Sequence, residues 1–244
     1  MKIIAIANRK GGAGKTTTTV NLAYRLATAY RRRVLVIDAD PQGNTSIIYG
    51  LDPAELAEIP TLYDFIITKL AKPADVIREV RPNLAIIPSN KELARLNGAL
   101  REDEVYLLHR KLKKVRGYDY VFIDCPPSLG IIFKNALHAA AEVLAPVPTA
   151  PLGLEGFQQM MEVIIETNVP LGGILPTFYN RQRVKDQNAL NDLKADQYIS
   201  PLVFDAIRDN THLAEAVAYR QTVFEFAPRS IGAEDYDKLA RRFA

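Results

Sequence analysis

Cysteine is nearly absent from this chain of 244 residues, and tryptophan is absent altogether. The single cysteine, Cys125, excludes an intrachain disulfide and a cluster of metal-binding thiolates. The histidines, His109, His138 and His212, are isolated and have no Cys or His partner at metal-ligand spacing. We therefore expect a protein of a reducing compartment, the cytoplasm, without a zinc or iron–sulfur site.

Long hydrophobic runs are missing as well. No apolar run approaches the roughly 20 residues of a membrane span, and residues 1–4 already resemble the start of a strand. The sequence therefore predicts neither a signal peptide nor a membrane anchor. Strand and helix patterns alternate along the chain without a Gly/Ser linker or an internal repeat. This alternation predicts one domain, residues 1–244, with an α/β fold: a doubly wound, mostly parallel sheet flanked by helices.

Six segments have the apolar, β-branched composition of buried strands. They are Ile3–Ala7, Arg31–Asp38, Leu84–Pro88, Tyr118–Asp124, Glu142–Val147 and Gly172–Asn180. Helical spacing of apolar residues predicts helices over Val20–Leu26 and Asp235–Phe243, and residues 89–96 are expected to be helical behind a cap.

A glycine-rich segment lies between the first predicted strand and the first predicted helix. Residues 10–17 read Lys-Gly-Gly-Ala-Gly-Lys-Thr-Thr. A strand, a glycine-rich turn and a helix in this order are the context of a phosphate-binding loop. Glycine takes backbone angles closed to other residues and leaves no Cβ between the peptide N–H groups and a phosphate.

Each residue of this loop has a predicted part in binding a nucleotide. We expect Lys15 to reach the β- and γ-phosphates, Thr16 to ligate Mg²⁺ and Thr17 to donate to the α-phosphate. The backbone amides around them, with those at the start of the following helix, form the anion cradle. The nucleotide-binding set predicted from the loop itself is Gly11, Gly12, Ala13, Gly14, Lys15, Thr16 and Thr17.

Carboxylates follow two other predicted strands. The second strand leads into Asp38-Ala-Asp40-Pro-Gln-Gly-Asn44, and a later strand ends at Asp124, followed by Cys-Pro-Pro-Ser-Leu-Gly130. Ligands of parallel α/β sheets lie outside the carboxyl ends of the strands, so these carboxylates should face the phosphates. Carboxylates beside a triphosphate would repel it unless Mg²⁺ or an attacking water lies between them. Asp124 has the Walker B form, in which the carboxylate holds Mg²⁺ through water.

Three motifs together resemble one family. Arg9 stands where the common phosphate-loop spacing has glycine, and Lys10 is an additional lysine before the glycine pair. This pattern, K-G-G-x-G-K-T-T, resembles the deviant Walker A loop of the ParA/MinD family of ATPases. The segment from Asp38 to Asn44 resembles the switch I motif of ParA-type proteins, and the segment from Asp124 to Gly130 resembles switch II of the Soj-like branch.

The resemblance implies particular roles for these residues, with ATP and Mg²⁺ as ligands. Lys10 would reach across a nucleotide-sandwich homodimer to the partner's phosphates. Asp40 would position or activate the hydrolytic water, and Asp38 would help hold the water shell of the metal. The catalytic set is then Lys10, Lys15 and Asp40, and the metal set is Thr16, Asp38 and Asp124. Relatives place adenine contacts where this chain has Asn180.

The resemblance also implies DNA and protein partners. A ParA/Soj-like ATPase binds DNA without sequence preference as an ATP dimer. A ParB-like centromere-binding protein stimulates its hydrolysis, and it segregates a plasmid or chromosome in association with the nucleoid. His212 and Asp209 occupy positions that are commonly basic in this branch. Candidate DNA contacts are Arg181, Arg183, Lys185, Arg208 and Arg220. The positive run His109–Arg116 has two interpretations, a solvated helix face or a patch for DNA or an acidic partner.

Three alternatives stay open from the sequence. A MinD-like positioning ATPase would carry an amphipathic membrane-targeting extension, which the sequence ending at Ala244 does not show. An iron–sulfur carrier of the same family would need more cysteines. A metabolic ligase of the dethiobiotin-synthetase type would need a pocket for a small acidic substrate, and the two acidic motifs favour a partition ATPase instead.

Overall fold

The computed structural model describes residues 1–150 and 157–244 with their side chains and residues 151–156 by their helical backbone alone. A seven-stranded sheet forms its centre, with the strand order β3-β4-β2-β5-β1-β6-β7. All neighbouring strands are parallel except β3 and β4, which are antiparallel. The strands are β1 (Lys2–Ile6), β2 (Val34–Asp38), β3 (Arg78–Arg81), β4 (Leu84–Ile87), β5 (Tyr120–Asp124), β6 (Glu142–Pro148) and β7 (Leu171–Thr177).

Helices cover both faces of this sheet, which confirms the predicted fold class. They are α1 (Lys15–Thr28), α2 (Asn44–Ile48), α3 (Leu62–Ile67), α4 (Pro73–Val76), α5 (Leu96–Ala99), α6 (Leu107–Leu112), α7 (Ile131–Ala139), α8 (Pro151–Thr167), α9 (Val184–Ala195), α10 (Thr211–Ala218), α11 (Val223–Phe226) and α12 (Ile231–Arg241). Three short 3₁₀ turns, Glu55–Ala57, Lys91–Arg95 and Ser200–Leu202, complete the regular structure of the described residues. The organisation as one domain stays a prediction.

Each central strand is buried on both faces, as expected of a parallel sheet between two helical layers. Side chains alternate along β1, so Ala5 packs into one core with α7 and α8 while Ile4 and Ile6 pack into the other with α1 and α12. The continuous apolar composition of the central strands follows from this burial on two sides.

Some strands begin or end at other residues than predicted, for local reasons. The predicted strand Arg31–Asp38 begins only at Val34, because Arg31 has a left-handed backbone, φ 54°. The predicted strand Gly172–Asn180 ends at Thr177, where Phe178 has φ 57°. Strand β3 was not predicted at all, because its sequence, Arg-Glu-Val-Arg, is charged. Charged residues are common on an edge strand, where they discourage pairing with another chain.

The strand order determines where a ligand can bind. Strands β2, β5 and β1 are neighbours at the centre of the sheet, and Asp38 at the end of β2 pairs in register with Asp124 at the end of β5. The same residue of β5 is in register with Ile6, the last residue of β1 before the glycine-rich loop. Three loops that carry the sequence motifs therefore leave the sheet side by side.

Among the described residues, no helix has the length and apolar composition that crossing a bilayer requires.

The C-terminal helix is attached to the first helix by a buried hydroxyl pair. Tyr236 of α12 is 1% exposed, and its Oη lies 3.1 Å from Oγ1 of Thr18 in α1. We predict that Tyr236→Phe lowers stability by about 1 kcal/mol, because one net hydrogen bond is lost. For a chain of this size, the melting temperature should fall by about 2–4 °C in differential scanning fluorimetry. Tyr198→Phe is the control, since Tyr198 is 80% exposed and should melt like the wild type. Equal melting of both variants would contradict a stabilising role for the Tyr236 hydroxyl.

Candidate nucleotide-binding site

The glycine-rich loop has the backbone geometry of an anion cradle. Gly12 has φ 71° and Gly14 has φ 91°, a left-handed region in which other residues are strained. Gly14 is also the N-terminal cap of α1, so the free amides of the first helical turn point toward the loop. Gly11 is not left-handed, and a Cβ built on it would have no atom within 4 Å. The expected conformational role of glycine therefore holds at Gly12 and Gly14 but not at Gly11.

Two residues that the sequence analysis missed anchor this loop to the sheet. Asn8 is fully buried, and its Nδ2 donates to the carbonyl of Pro146 at the end of β6. Its Oδ1 accepts the backbone N–H of Lys10 at 2.9 Å. Thr177, at the end of β7, donates its hydroxyl to the carbonyl of Ala13 at 3.0 Å. Because both partners are distant in sequence, no local pattern pointed to Asn8 or Thr177.

Lys15 is held inside the loop, with only 7% of its surface exposed. Its Nζ donates to the carbonyl of Lys10 at 3.1 Å. Burial lowers the pKa of Lys15, whereas the negative charge of Asp124 is the largest effect that raises it. A buried ammonium group with a neutral carbonyl as its hydrogen-bond acceptor is well prepared to exchange that acceptor for a phosphate.

Asp124 accepts hydrogen bonds from hydroxyl groups of two elements. Thr16 donates at 2.8 Å and Thr19 at 3.4 Å from α1, and Thr45 donates at 2.6 Å from α2. Burial raises the pKa of Asp124 to about 6, while the hydroxyls of Thr45 and Thr16 and the charge of Lys15 oppose this rise. Thr45 was also missed by sequence analysis, although it directly follows the switch I segment.

Asp38 is completely buried beside Asp124. Its Oδ2 accepts the backbone N–H of Ser46 at 2.9 Å and the Ser46 hydroxyl at 2.7 Å, and its Oδ1 accepts the N–H of Asp40 at 3.2 Å. Burial, followed by the charge of Asp124, raises the pKa of Asp38 to about 7. The two carboxylates thus form a pair whose negative charge is stabilised by hydroxyl and amide donors.

Asp40 lies closer to solvent than Asp38. Its side chain is partly exposed, and Oδ1 accepts the N–H of Gln42 at 2.9 Å within the turn. Its Oδ2 makes no hydrogen bond among the described residues. The structure therefore separates the two acids of switch I into a buried residue, Asp38, and an accessible one, Asp40.

The residues around the loop fit magnesium and a nucleoside triphosphate. Magnesium prefers oxygen ligands and in phosphate-binding enzymes uses few protein groups together with substrate phosphates and water. The hydroxyl of Thr16 and the carboxylate of Asp124 are such groups, and they already lie 2.8 Å apart. Among the described residues, no cluster of three or more His, Cys, Asp or Glu could hold a metal ion. The donors therefore suit a magnesium site that phosphate oxygens complete.

A cavity of about 430 Å³ opens beside the loop. Gly14, Thr17, Phe178, Ile207 and Tyr236 are among the residues that line it, and its size is in the range of ligand pockets. Asn180 does not line this cavity. The Oδ1 of Asn180 accepts the N–H of Gln182 at 2.9 Å, so its predicted contact with adenine stays a prediction.

Comparisons with known proteins now identify the family. The chain is 34% identical to the chromosome partitioning protein ParA of Caulobacter vibrioides, over 99% of this chain and 93% of that protein. It is 35% identical to the sporulation initiation inhibitor protein Soj of Bacillus subtilis, over 100% of this chain and 98% of that protein. The chain belongs to the ParA/Soj family of partition ATPases. Residues 1–170 also match a family model described as an AAA domain.

One solved structure with a similar fold contains a bound nucleotide. The crystal structure of cobyrinic acid a,c-diamide synthase from Mycobacterium smegmatis, with bound ADP and magnesium, has 30% sequence identity and a TM-score of 0.83. The match covers 100% of this chain and 94% of that one. Homologous structures of this family of P-loop ATPases thus bind adenine nucleotides with magnesium.

The five basic residues that the ParA/Soj resemblance suggested for DNA contacts are in unequal positions. Arg208 donates to Asp235, whose side chain is 5% exposed, at 2.6 Å, and to Glu234 at 2.8 Å. Arg183 pairs with Asp209 at 3.2 Å, and Arg220 pairs with Asp52 at 3.7 Å. Arg181 and Lys185 are exposed and have no carboxylate within 4.0 Å in the part of the chain that the structure describes.

These positions change the ranking of the DNA candidates. The guanidinium of Arg208 is held against a buried carboxylate, which competes with phosphate, so its contact with DNA stays a prediction with less support. Its hydrogen bonds to Asp235 and Glu234 raise the pKa of Arg208 above its ordinary value. Arg181 and Lys185 are the better candidates, because no neighbouring acid competes with phosphate for them.

The buried pair of Asp38 and Asp124 should make the free energy of unfolding depend on pH. The pKa of Asp38 rises from 3.8 to about 7 on folding, so the folded state binds more protons than the unfolded state between these values. Stability from this group is present below pH 4 and is lost as pH rises through about 7. We predict that Asp38→Asn melts several degrees higher, relative to the wild type, at pH 8 than at pH 5 when nucleotide and magnesium are removed.

The control for this experiment is Asp103→Asn, because the Asp103 side chain is 73% exposed. Its melting difference from the wild type should not change with pH. A pH-independent difference for Asp38→Asn would contradict the raised pKa.

Proposed function

We propose that this chain is a magnesium-dependent ATPase that forms an ATP-bound homodimer, binds DNA without sequence preference and leaves DNA on hydrolysis. A ParB-like centromere-binding partner would stimulate that hydrolysis, and the cycle would segregate a plasmid or a chromosome in the cytoplasm, in association with the nucleoid. One observation is the main support for this proposal. The glycine-rich loop lies beside Asp38, Asp40 and Asp124, where the neighbouring strands β2, β5 and β1 have their carboxyl ends.

Phosphate binding is the first step. The left-handed Gly12 and Gly14 turn backbone amides toward the centre of the loop, and the N-terminus of α1 adds its free N–H groups. Lys15 exchanges the Lys10 carbonyl for phosphate oxygens. The ammonium group then stabilises the charge that develops on the transferred phosphoryl group.

Thr16 and Asp124 would hold magnesium, directly and through water respectively, and Asp38 would help to orient the water shell. The ion would neutralise negative charge on the phosphates. Thr45 donates to the same Asp124 oxygen as Thr16, Oδ2. Thr45 therefore keeps switch I in contact with the metal-binding carboxylate, which couples the position of α2 to the presence of the ligand.

Asp40 would orient the attacking water. Its accessible position and its free Oδ2 support this role, whereas Asp38 is fully engaged by Ser46 and by the Asp40 amide.

Lys10 would act in the second subunit of the dimer. Its N–H is held by Asn8 and its carbonyl by Lys15, so the backbone at Lys10 is fixed on both sides. Its side chain, at the mouth of the loop, is partly exposed and forms no ion pair among the described residues. A fixed backbone with an available ammonium group supports a contact with the partner's phosphates.

A second candidate is a metabolic ligase, since one protein among the similar solved structures is named a synthase. The partition proteins of Caulobacter vibrioides and Bacillus subtilis match with higher identity over nearly the whole chain, so partition is the better supported function. Turnover that depends on a small carboxylic acid rather than on DNA would support the ligase.

The first prediction tests the assignment of the phosphate site. Lys15→Ala should reduce ATP turnover by at least about 100-fold, because one positive group at the transition state is lost. Released phosphate measures the rate, and a fluorescent ATP analogue measures binding. Lys91→Ala, an exposed lysine outside the loop, is the matched control and should retain wild-type turnover. Turnover that is unchanged in Lys15→Ala would remove this residue from the site.

The second prediction tests the cycle. Asp40→Ala should remain an ATP-bound dimer, which light scattering detects, and should bind a non-specific duplex only with ATP, with an affinity that falls steeply with salt. The double variant Asp40→Ala, Lys10→Ala should stay monomeric with ATP and should not gain DNA affinity. An intact ATP dimer of the double variant would contradict the role of Lys10 in the partner's site. Normal hydrolysis by Asp40→Ala would contradict the role of Asp40.

A further inference from the structure

Two buried serines lie behind the switch I segment. Ser46 belongs to α2, and Ser89 is the second residue after β4. Both residues are completely inaccessible to solvent. Strand β4 is the neighbour of β2 on the side away from β5, so Ser89 lies next to the strand that ends at Asp38. The two serines therefore connect switch I with a strand that carries none of the sequence motifs.

Hydrogen bonds join these serines to Asp38 in one direction. The backbone N–H of Ser89 donates to Oγ of Ser46 at 3.1 Å. The Ser46 hydroxyl donates in turn to Oδ2 of Asp38 at 2.7 Å, and the Ser46 N–H donates to the same oxygen at 2.9 Å. Because the hydroxyl of Ser46 accepts one hydrogen bond and donates another, its orientation is fixed on both sides.

Asp38 connects Ser46 with Asp40. The second oxygen of Asp38, Oδ1, accepts the backbone N–H of Asp40 at 3.2 Å. The carbonyl of Asp40 accepts the N–H of Gly43 at 2.9 Å, and the carbonyl of Gly43 accepts the N–H of Ile47 at 3.0 Å. One carboxylate therefore receives donors from both ends of the switch I turn. A change in the orientation of Asp38 would move the backbone that carries the Asp40 side chain.

Gly43 packs against the same loop after β4. A Cβ built on Gly43 would lie 2.9 Å from the carbonyl oxygen of Ser89, and Gly43 has a left-handed backbone, φ 66°. Both observations favour glycine at this position. The carbonyl of Ser89 thus lies against the start of α2, while its N–H bonds to Ser46 within the same helix. The end of β4 is therefore the support on which the switch I turn packs.

Ser46 has different partners from its neighbour in the helix. Thr45 donates to Asp124, the carboxylate beside the glycine-rich loop. The hydroxyl of Ser46 contacts Asp38 and the N–H of Ser89, and it has no hydrogen bond to the glycine-rich loop among the described residues. The other donors to Asp38 in the part of the chain that the structure describes are backbone amides. Removal of the Ser46 hydroxyl should therefore loosen Asp38 and leave the loop intact.

We propose that Ser46 is a positioning residue for hydrolysis, because its hydroxyl orients Asp38 and, through Asp38, the backbone that carries Asp40. This inference rests on the proposed function, in which Asp40 orients the attacking water. A small displacement of an oriented group slows the chemical step, whereas it changes substrate binding little when the binding groups stay in place. Ser46 should therefore influence kcat and leave KM for ATP nearly unchanged.

The test compares three variants of the full chain. Ser46→Ala removes the hydroxyl, Ser46→Thr retains it, and Ser230→Ala removes a hydroxyl that caps α12 outside the site. In the presence of ATP and magnesium, Ser46→Ala should lower kcat at least about tenfold and change KM less than about twofold. Ser46→Thr should recover most of the wild-type kcat. Ser230→Ala should melt about 2–4 °C lower than the wild type and retain its kcat.

A second measurement does not depend on turnover. Hydrogen–deuterium exchange of the nucleotide-free chain measures how firmly the backbone amides of the switch I turn are held. Peptides that span residues 38–47 should exchange faster in Ser46→Ala, and peptides that span residues 8–17 should not change. Ser89→Ala should exchange like the wild type. It keeps the Ser89 N–H and removes a hydroxyl that has no hydrogen-bond partner among the described residues.

Several outcomes would overturn the inference. One is an equal kcat for Ser46→Ala and the wild type, and another is unchanged exchange in residues 38–47. A higher KM with an unchanged kcat would also overturn it, because Ser46 would then act in nucleotide binding. So would a Ser46→Thr variant that melts like the wild type without recovering kcat. Absence of ATP turnover in the wild type would contradict the proposed function, whereas faster exchange in Ser46→Ala would still support the link between Ser46 and switch I.

Discussion

The burial of two carboxylates side by side is the constraint on which the rest of this structure depends. Asp38 and Asp124 end neighbouring parallel strands in register, and both are almost completely inaccessible to solvent. Buried charges are costly unless hydrogen bonds or counter-charges compensate them. Here Thr16, Thr45 and Ser46 donate to the pair, and Lys15 provides positive charge nearby. The helices α1 and α2 are therefore positioned by the same hydrogen bonds that stabilise the acids.

This arrangement connects stability to ligand binding. The raised pKa values of Asp38 and Asp124 show that the charged pair is not fully compensated by the protein alone. A divalent cation would remove the remaining repulsion, and a triphosphate would provide the acceptor that Lys15 takes from the Lys10 carbonyl.

Much of the site could be predicted from the sequence because its motifs are local. Lys15 and Thr16 sit in a short glycine-rich segment, and Asp38 and Asp124 each end an apolar run, so residue order alone indicated a phosphate loop and two acidic turns. The residues that were missed act over long sequence distances. Asn8 reaches Pro146, Thr177 reaches Ala13, and Thr45 reaches Asp124, and none of these pairs has a sequence pattern of its own. Strand β3 was missed because a charged edge strand lacks the apolar signal by which central strands are found.

By itself, the sequence determined the fold class, the positions of the main strands along the chain and the residues of the glycine-rich loop. Periodicity and short motifs are properties of neighbouring residues, so they can be recognised without a structure. Only the tertiary structure decided which of those residues are available. It paired Arg208 with the buried Asp235 and left Arg181 and Lys185 exposed. It also placed Asp119, which precedes β5, against Arg33, which precedes β2, through the pairing of these two strands. Burial, ion pairing and the convergence of distant loops depend on how the strands are arranged in the sheet, and no local stretch of sequence contains that information.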